Sequence, residues 1–470
     1  MDKHLRKKEI FKNIEIIDLG AKGKGIAKIN NKVVFIDKTI PGDIVNIQIF
    51  GKKKGYFSAN ILDFVQLSQK RTKAVCNHFN LCGGCKIQNM KYSEQLLHKQ
   101  KIVFDSLTRI GKVENPEILE IIGSEKTEFY RNKLDFSFSN KRWLTEKEIK
   151  EDKDFNRNGL GFHIPGRFDK IVDIEKCYLL AEPSNKIRNE TRKYAIENNL
   201  SFYDTIATSG LLRNLVIRIS SIGEIMVNVV FGENNIKEIT NLLNHIVKSF
   251  PEITSVFYMI NLKKNDSLYD IEPKHFSGST HIKEKIEHIE ILLGPKSFSQ
   301  TNSFQAINLY NVVRDFANIK KTDIVYDLYS GVGSIGLFLA EKAKKIIGIE
   351  TVDESVIEAD INKANNNIKN ATFHSGIVEN ILDDNFISDN GKADIIIVDP
   401  PRAGLHKKVI PVIKKSGAKK IIYVSCNPAT QARDIELLSS DYTFIKSQPV
   451  DMFPHTLHVE NVALLILKNN

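Results

Sequence analysis

From residue 303 onward, short apolar runs alternate with helical stretches. A helix over residues 303–318 precedes VYDLYS, then come GSIGLFLAEKA, KIIGIE, a helix through Asn365, ADIIIVDPP, a further helix and KIIYVSCNP. Apolar strands alternating with helices predict a doubly wound, mostly parallel sheet. Ligands of such sheets bind beyond the carboxyl ends of the strands, so the residues that follow each run are predicted to meet in one crevice. Those residues are Tyr329 and the glycine turn Gly331-Val332-Gly333-Ser334-Ile335-Gly336, then Glu350, then Asp399-Pro400-Pro401-Arg402, then Ser425-Cys426-Asn427-Pro428.

Each tail carries a recognisable chemistry. Glycines permit a tight turn and a close backbone approach to a ligand, and Glu350, 23 residues after Asp327, can accept hydrogen bonds from both hydroxyls of a ribose. The same glycine pattern fits a dinucleotide as well as S-adenosylmethionine, so this motif leaves both open. Prolines at 400, 401 and 428 hold the turns extended and fix where Asp399 and Cys426 point. A buried cysteine is usually an inert small hydrophobe, but one at a strand's carboxyl end beside a cofactor loop is a candidate nucleophile. A structural turn cap is the competing reading of Asp399.

The rest of the 470-residue chain is globular in composition, with 42% hydrophobic and 26% charged residues. The net charge of +10 is concentrated, since residues 1–75 hold 16 Lys/Arg against 7 Asp/Glu. A basic module suggests a polyanionic partner, although a solvated lysine-rich surface would look the same. Over residues 14–65 the runs IEIIDLG, GIAKINNKVVFI, DIVNIQIF and YFSANILDFV, with Asn30-Asn31 as a turn and Lys52, Lys53 and Lys54 in another, predict a small β-barrel. A cysteine-rich loop follows at 76–85, then an amphipathic helix over 93–110, capped by Ser93 and ended by Gly111. Strands and helices alternate over 120–295, interrupted by a polar stretch at 145–158 that reads as a loop. The longest apolar run, 462–467, is too short to span a bilayer, so a cytoplasmic protein is expected. Cys76, Cys82, Cys85 and Cys177 can hold zinc or an iron–sulfur cluster, and their spacing alone does not decide.

DLYSGVGSIG, DPPRAG, SCNP and the late HVENVALL together resemble the RNA (uracil-5-)-methyltransferase family. CNHFNLCGGCKIQNMKYSEQLLHKQK resembles the cysteine loop of its iron–sulfur members, and the barrel with its PGD at 41–43 resembles their TRAM domain, an OB-like RNA-binding module. The similarity spans about 14–467. It implies Cys426 as nucleophile, Glu460 as general base, and Gln300, Tyr329, Glu350 and Asp399 as cofactor- or substrate-binding residues, with Phe298 near the target base. It implies S-adenosyl-L-methionine as methyl donor and a [4Fe-4S] cluster on Cys76, Cys82, Cys85 and Cys177 that staples the fold rather than carrying electrons. FHSGIVEN lacks the Asn or Asp expected beside the adenine, which leaves Gly376 to Val378 with backbone contacts.

The expected architecture is therefore α/β: a TRAM-like barrel at 1–67, an α+β central domain at 68–295 and a Rossmann-like class I methyltransferase domain at 296–470 with a late antiparallel strand. The helix at 93–110 is free to pack on the last of these. The expected substrate is 23S ribosomal RNA, with the T-loop of transfer RNA as the alternative, Arg131 as a phosphate or base contact, and a monomeric protein with no membrane or protein partner. An NAD-dependent oxidoreductase would leave SCNP and DPPR unexplained. A non-catalytic RNA-binding protein is the third reading.

Overall fold

The computed structural model describes residues 9–20, 23–151 and 153–469. They form two compact units, one taking in the chain up to Lys99 together with Phe453–Leu457, the other taking in Gln100–Met452 and the chain from His458 onward.

In the first unit a six-stranded sheet runs in the order Ile10–Glu15, Ile44–Lys53, Tyr56–Gln66, Lys32–Ile36, Gly25–Ile29, Asp18–Leu19. Alternate residues point inward, so Val45, Ile47 and Ile49 join Ile29, Val34 and Ile36 in one apolar core. Asn30 and Asn31 both take positive φ, 47° and 58°, as the two central residues of a tight hairpin require. Lys52 and Lys53 finish the strand rather than sitting in the turn, which Lys54 and Gly55 make, because the strand runs 10 residues. Within PGD, Asp43 is fully buried and accepts from both Nε (2.7 Å) and Nη2 (2.6 Å) of Arg71 and from the amides of Ile40 and Ser68. This aspartate ties the end of the barrel to the chain that leads into the cysteine loop. The helix after that loop, Tyr92–Arg109, begins one residue before Ser93, which therefore lies in its first turn and not at its cap.

The second unit holds two larger sheets. One has seven strands, with Leu212–Ile219 central between Lys133–Ser139 and Ile225–Phe231. The polar stretch beside it is not all loop: Glu146–Lys150 is helical. The reason is a capping box, in which Thr145 Oγ1 accepts from the Glu148 amide (3.3 Å) while Glu148 Oε2 accepts from the Thr145 amide (2.8 Å).

The other sheet has eight strands in the order Ala371–Ser375, Lys345–Glu350, Ile324–Leu328, Ile395–Val398, Lys420–Ser425, Glu460–Leu467, Tyr442–Val450, Glu117–Ile118. The first five are parallel, and Glu460–Leu467 runs antiparallel to both of its neighbours. Pairing of Ser425 with Asn461 puts Cys426, the next residue, alongside Glu460 at the carboxyl ends of the parallel strands. Among the described residues no helix is long and apolar enough to cross a membrane.

Candidate active site

The glycine turn is held by carboxylates. Asp327, 1% exposed, accepts from the Gly336 amide at 2.9 Å, which closes the turn from below. Glu350 accepts from the Gly331 amide through Oε2 (2.9 Å) and from the Thr351 and Val352 amides through Oε1 (2.7 and 3.0 Å), so its carboxylate is fixed before any ligand arrives. Tyr329 sits at φ 65°, a strained value for a side chain of its size, and functional sites are where such strain is kept. Gly348 is needed for space, because a Cβ there would meet Phe373 at 2.3 Å. In front of Gly331 the space is open, and Ser330 Oγ is buried with no hydrogen-bond partner among the described residues. An open-faced glycine, an unpaired hydroxyl and a fixed carboxylate fit a nucleoside-bearing ligand such as S-adenosylmethionine. Burial, with Asp399 and Glu350 nearby, pushes Asp327 up to about 7.

Beside this turn lies the reactive group. Cys426 is half-buried where the strand Lys420–Ser425 gives way to the helix Pro428–Leu438. Asn427 caps that helix, accepting from the Ala429 amide at 3.2 Å, while its Nδ2 donates to Arg402 O at 3.0 Å. Burial pushes the Cys426 thiol up to about 11, and Glu460 and Asp399 add to the shift. The Arg402 guanidinium opposes them and hydrogen-bonds the thiol. Glu460 is 3% exposed, and burial followed by the charge of Asp399 raises it well above the usual carboxyl range. Asp399 is pushed to about 7 by burial and accepts from Gln300 Nε2 at 3.3 Å. Glu460, Asp399 and the Cys426 thiol thus share one low-dielectric crevice with Arg402 facing them, an arrangement suited to moving protons at neutral pH.

Cys426, Glu460, Asp399 and Gln300 are brought together, with Glu350 and Tyr329 at the adjoining glycine turn. Burial raises the Tyr329 hydroxyl to about 12, and it reaches the backbone of His406. Phe298 is 65% exposed, free to meet a large planar ligand. Arg131 lies at a backbone bridge to Leu180. Arg402, which stands within DPPRAG, had no role assigned from sequence. Asp434 was also missed: fully buried, it accepts from the Leu405 amide (2.8 Å) and the Tyr423 hydroxyl (2.6 Å) and so holds the turn that presents Asp399 and Arg402. A lone aspartate in a helix gives no pattern to read.

Cys76, Cys82 and Cys85 lie in the first unit and Cys177 in the second. The Gly84 amide points at Cys82 Sγ (3.4 Å), and Gln88 Nε2 lies 4.0 Å from Cys85 Sγ. Such N–H groups aimed at sulfur suit thiolate ligands. Among the described residues, however, no three His, Cys, Asp or Glu side chains are gathered closely enough to hold a metal ion.

A family model described as tRNA (Uracil-5-)-methyltransferase matches residues 280–468, and a TRAM domain model matches 12–62. A Bacteroides thetaiotaomicron protein described as an uncharacterized RNA methyltransferase is 50% identical over 96% of this chain and 100% of its own length. One from Porphyromonas gingivalis, described likewise, is 46% identical over 96% and 99%. The crystal structure of Pyrococcus abyssi tRNA (uracil-54, C5)-methyltransferase in complex with S-adenosyl-L-homocysteine superposes with a TM-score of 0.74 at 30% identity, covering 96% of this chain and 99% of that one. With these matches the chain belongs to the RNA (uracil-5-)-methyltransferase family, in the group that carries a TRAM domain, and is an S-adenosylmethionine-dependent RNA methyltransferase.

Proposed function

We propose that the protein methylates carbon 5 of a uracil in structured RNA through a covalent bond between Cys426 and carbon 6 of the base. The observation that carries this reading is the antiparallel register that sets Cys426 alongside Glu460. Carbon 5 of uracil is a weak nucleophile. Addition of the Cys426 thiolate to carbon 6 makes carbon 5 enolate-like, and Arg402, hydrogen-bonded to the thiol, favours its ionised form. Bound S-adenosylmethionine supplies an electrophilic methyl group. Glu460 then takes the proton from carbon 5, the carbon 5–carbon 6 double bond re-forms, and the bond to Cys426 breaks. A carboxyl raised by burial is a stronger base once ionised, as this step needs.

Gln300, Tyr329, Glu350 and Asp399 are assigned to the cofactor and substrate side of the crevice. A stacked base cannot reach Cys426, so the uracil is flipped out and Phe298 stacks on it, with Arg131 as a phosphate or base contact. We assign 23S ribosomal RNA as the substrate. Transfer RNA is the second reading, favoured by the full-length likeness to a tRNA enzyme. For Cys76, Cys82, Cys85 and Cys177 we propose a [4Fe-4S] cluster with a structural role.

The test is Glu460→Gln. Addition and methyl transfer do not need a base at 460, but release does. The variant should accumulate methylated RNA bound to protein, seen as a denaturation-resistant band that Cys426→Ala abolishes. Normal turnover by Glu460→Gln would remove Glu460 as the base, and methylation by Cys426→Ala would end the covalent mechanism.

A further inference from the structure

Phe298 and Gln300 lie on residues 297–302, a stretch with no regular secondary structure between the strand Ile289–Leu293 and the helix Ser303–Ala317. Such a stretch has no ladder to fix its backbone, yet here it is fixed at both ends and in the middle. At its start Arg218 Nη2 donates to Ser297 O at 2.6 Å, and Ser297 Oγ donates to Glu358 at 2.6 Å. In the middle the Asn132 amide donates to Thr301 O and Asn132 Nδ2 to Gln300 O, both at 2.9 Å. At its end Ser303 Oγ accepts from Asn132 Nδ2 and donates to Glu284, both at 2.9 Å.

Arg218 is the hub of this frame. It is 3% exposed on the central strand Leu212–Ile219, and both Glu284 and Glu358 act on its charge. Burying an arginine in the field of two buried carboxyls costs solvation that apolar packing would not, and Arg218 Nη1 has no hydrogen-bond partner among the described residues. A group kept at such cost, with its one strong hydrogen bond spent on a loop carbonyl, is explained better by the geometry it imposes than by stability.

We propose that Arg218 is a positioning residue of the methyltransferase: through Ser297, Glu284 and Glu358 it sets the backbone that aims Phe298 at the flipped base and Gln300 at Asp399. This rests on the roles given above to Phe298 and Gln300. It places a determinant of the chemistry on the central strand of the seven-stranded sheet, outside the residues assigned to the crevice.

A double-mutant cycle of Arg218→Lys with Phe298→Ala in the full-length protein tests it. Lysine keeps the charge but lacks the planar fork of the guanidinium. Arg218→Lys should lower kcat/KM by up to about 100-fold while RNA affinity stays unchanged, since small displacements of positioning groups act on the rate. Phe298→Ala should cost much less in the Arg218→Lys background than alone, because the ring is already misdirected. Glu284→Gln, isosteric and neutral, should couple to Phe298→Ala in the same sense and serves if Arg218→Lys does not fold. Additive effects, or a lowered Tm with unchanged kcat/KM per folded molecule, would overturn the proposal. If Phe298→Ala and Gln300→Ala are each without effect, the reading of the site itself fails, a result distinguishable from additivity.

Discussion

Asp327 shows what the site asks of a single residue. Its carboxyl closes the glycine turn from a position 1% exposed and is pushed up to about 7 from an ordinary 3.8. A raised carboxyl means that the folded protein holds the proton more tightly than the unfolded chain. The associated stability is complete below the unfolded value and is lost as pH rises through the folded one. Asp399, also at about 7, has the same sign. Glu148 and Asp204 shift the other way, held low by Arg142 and Lys141, so their contribution is lost only as pH falls below about 4. The Tm of the protein without cofactor should therefore fall as pH rises from about 5 to about 8, and Asp327→Asn should flatten that slope. An Asp327→Asn protein with the wild-type slope would mean that the carboxylate is better solvated than its burial implies.

At the scale of elements, strand ends carry the candidate site and buried side chains behind them hold the turns. Tyr423→Phe removes one hydrogen bond to Asp434 and should cost about 1 kcal/mol in urea denaturation, whereas Asp434→Ala leaves the Leu405 amide and Tyr423 hydroxyl unpaired and should cost about 1–3 kcal/mol for each. Equal losses in the two variants would show that Asp434 does not bridge the turn. The parallel strands were legible because each is a continuous apolar run bounded by its tail, and Asp399 and Cys426 stood out because they lie in such tails, whereas Gln300 and Glu460 were named only through the family resemblance. The frame behind them was not. Asn132, Arg218 and Glu284 are scattered polar residues whose meaning comes from contacts across 171 positions of sequence. The two-residue strand Glu117–Ile118 is too short to show a period, and the helix Glu146–Lys150 escaped because its capping box sits among charges. The cysteine loop stood out by its spacing, but its [4Fe-4S] assignment rests on the resemblance. Iron analysis of protein purified without oxygen should find about one [4Fe-4S] cluster per chain, and zinc in its place would refute that assignment.

At the scale of the molecule, a chain of 470 residues carries both a basic barrel and a methyltransferase sheet. In the proposed function, the net charge near +9 within residues 1–75 supplies affinity for RNA of any sequence, while Cys426 carries the chemistry. The central claim is the product, 5-methyluridine in RNA, and nucleoside mass spectrometry tests it most directly. Ribosomal and transfer RNA from a strain lacking this protein should be digested beside RNA from the same strain complemented with the wild type or with Cys426→Ala. The account predicts that 5-methyluridine disappears from 23S ribosomal RNA, returns with the wild type and does not return with Cys426→Ala. Loss from transfer RNA alone would transfer the substrate assignment to the second reading, and unchanged 5-methyluridine in both RNA classes would contradict the account.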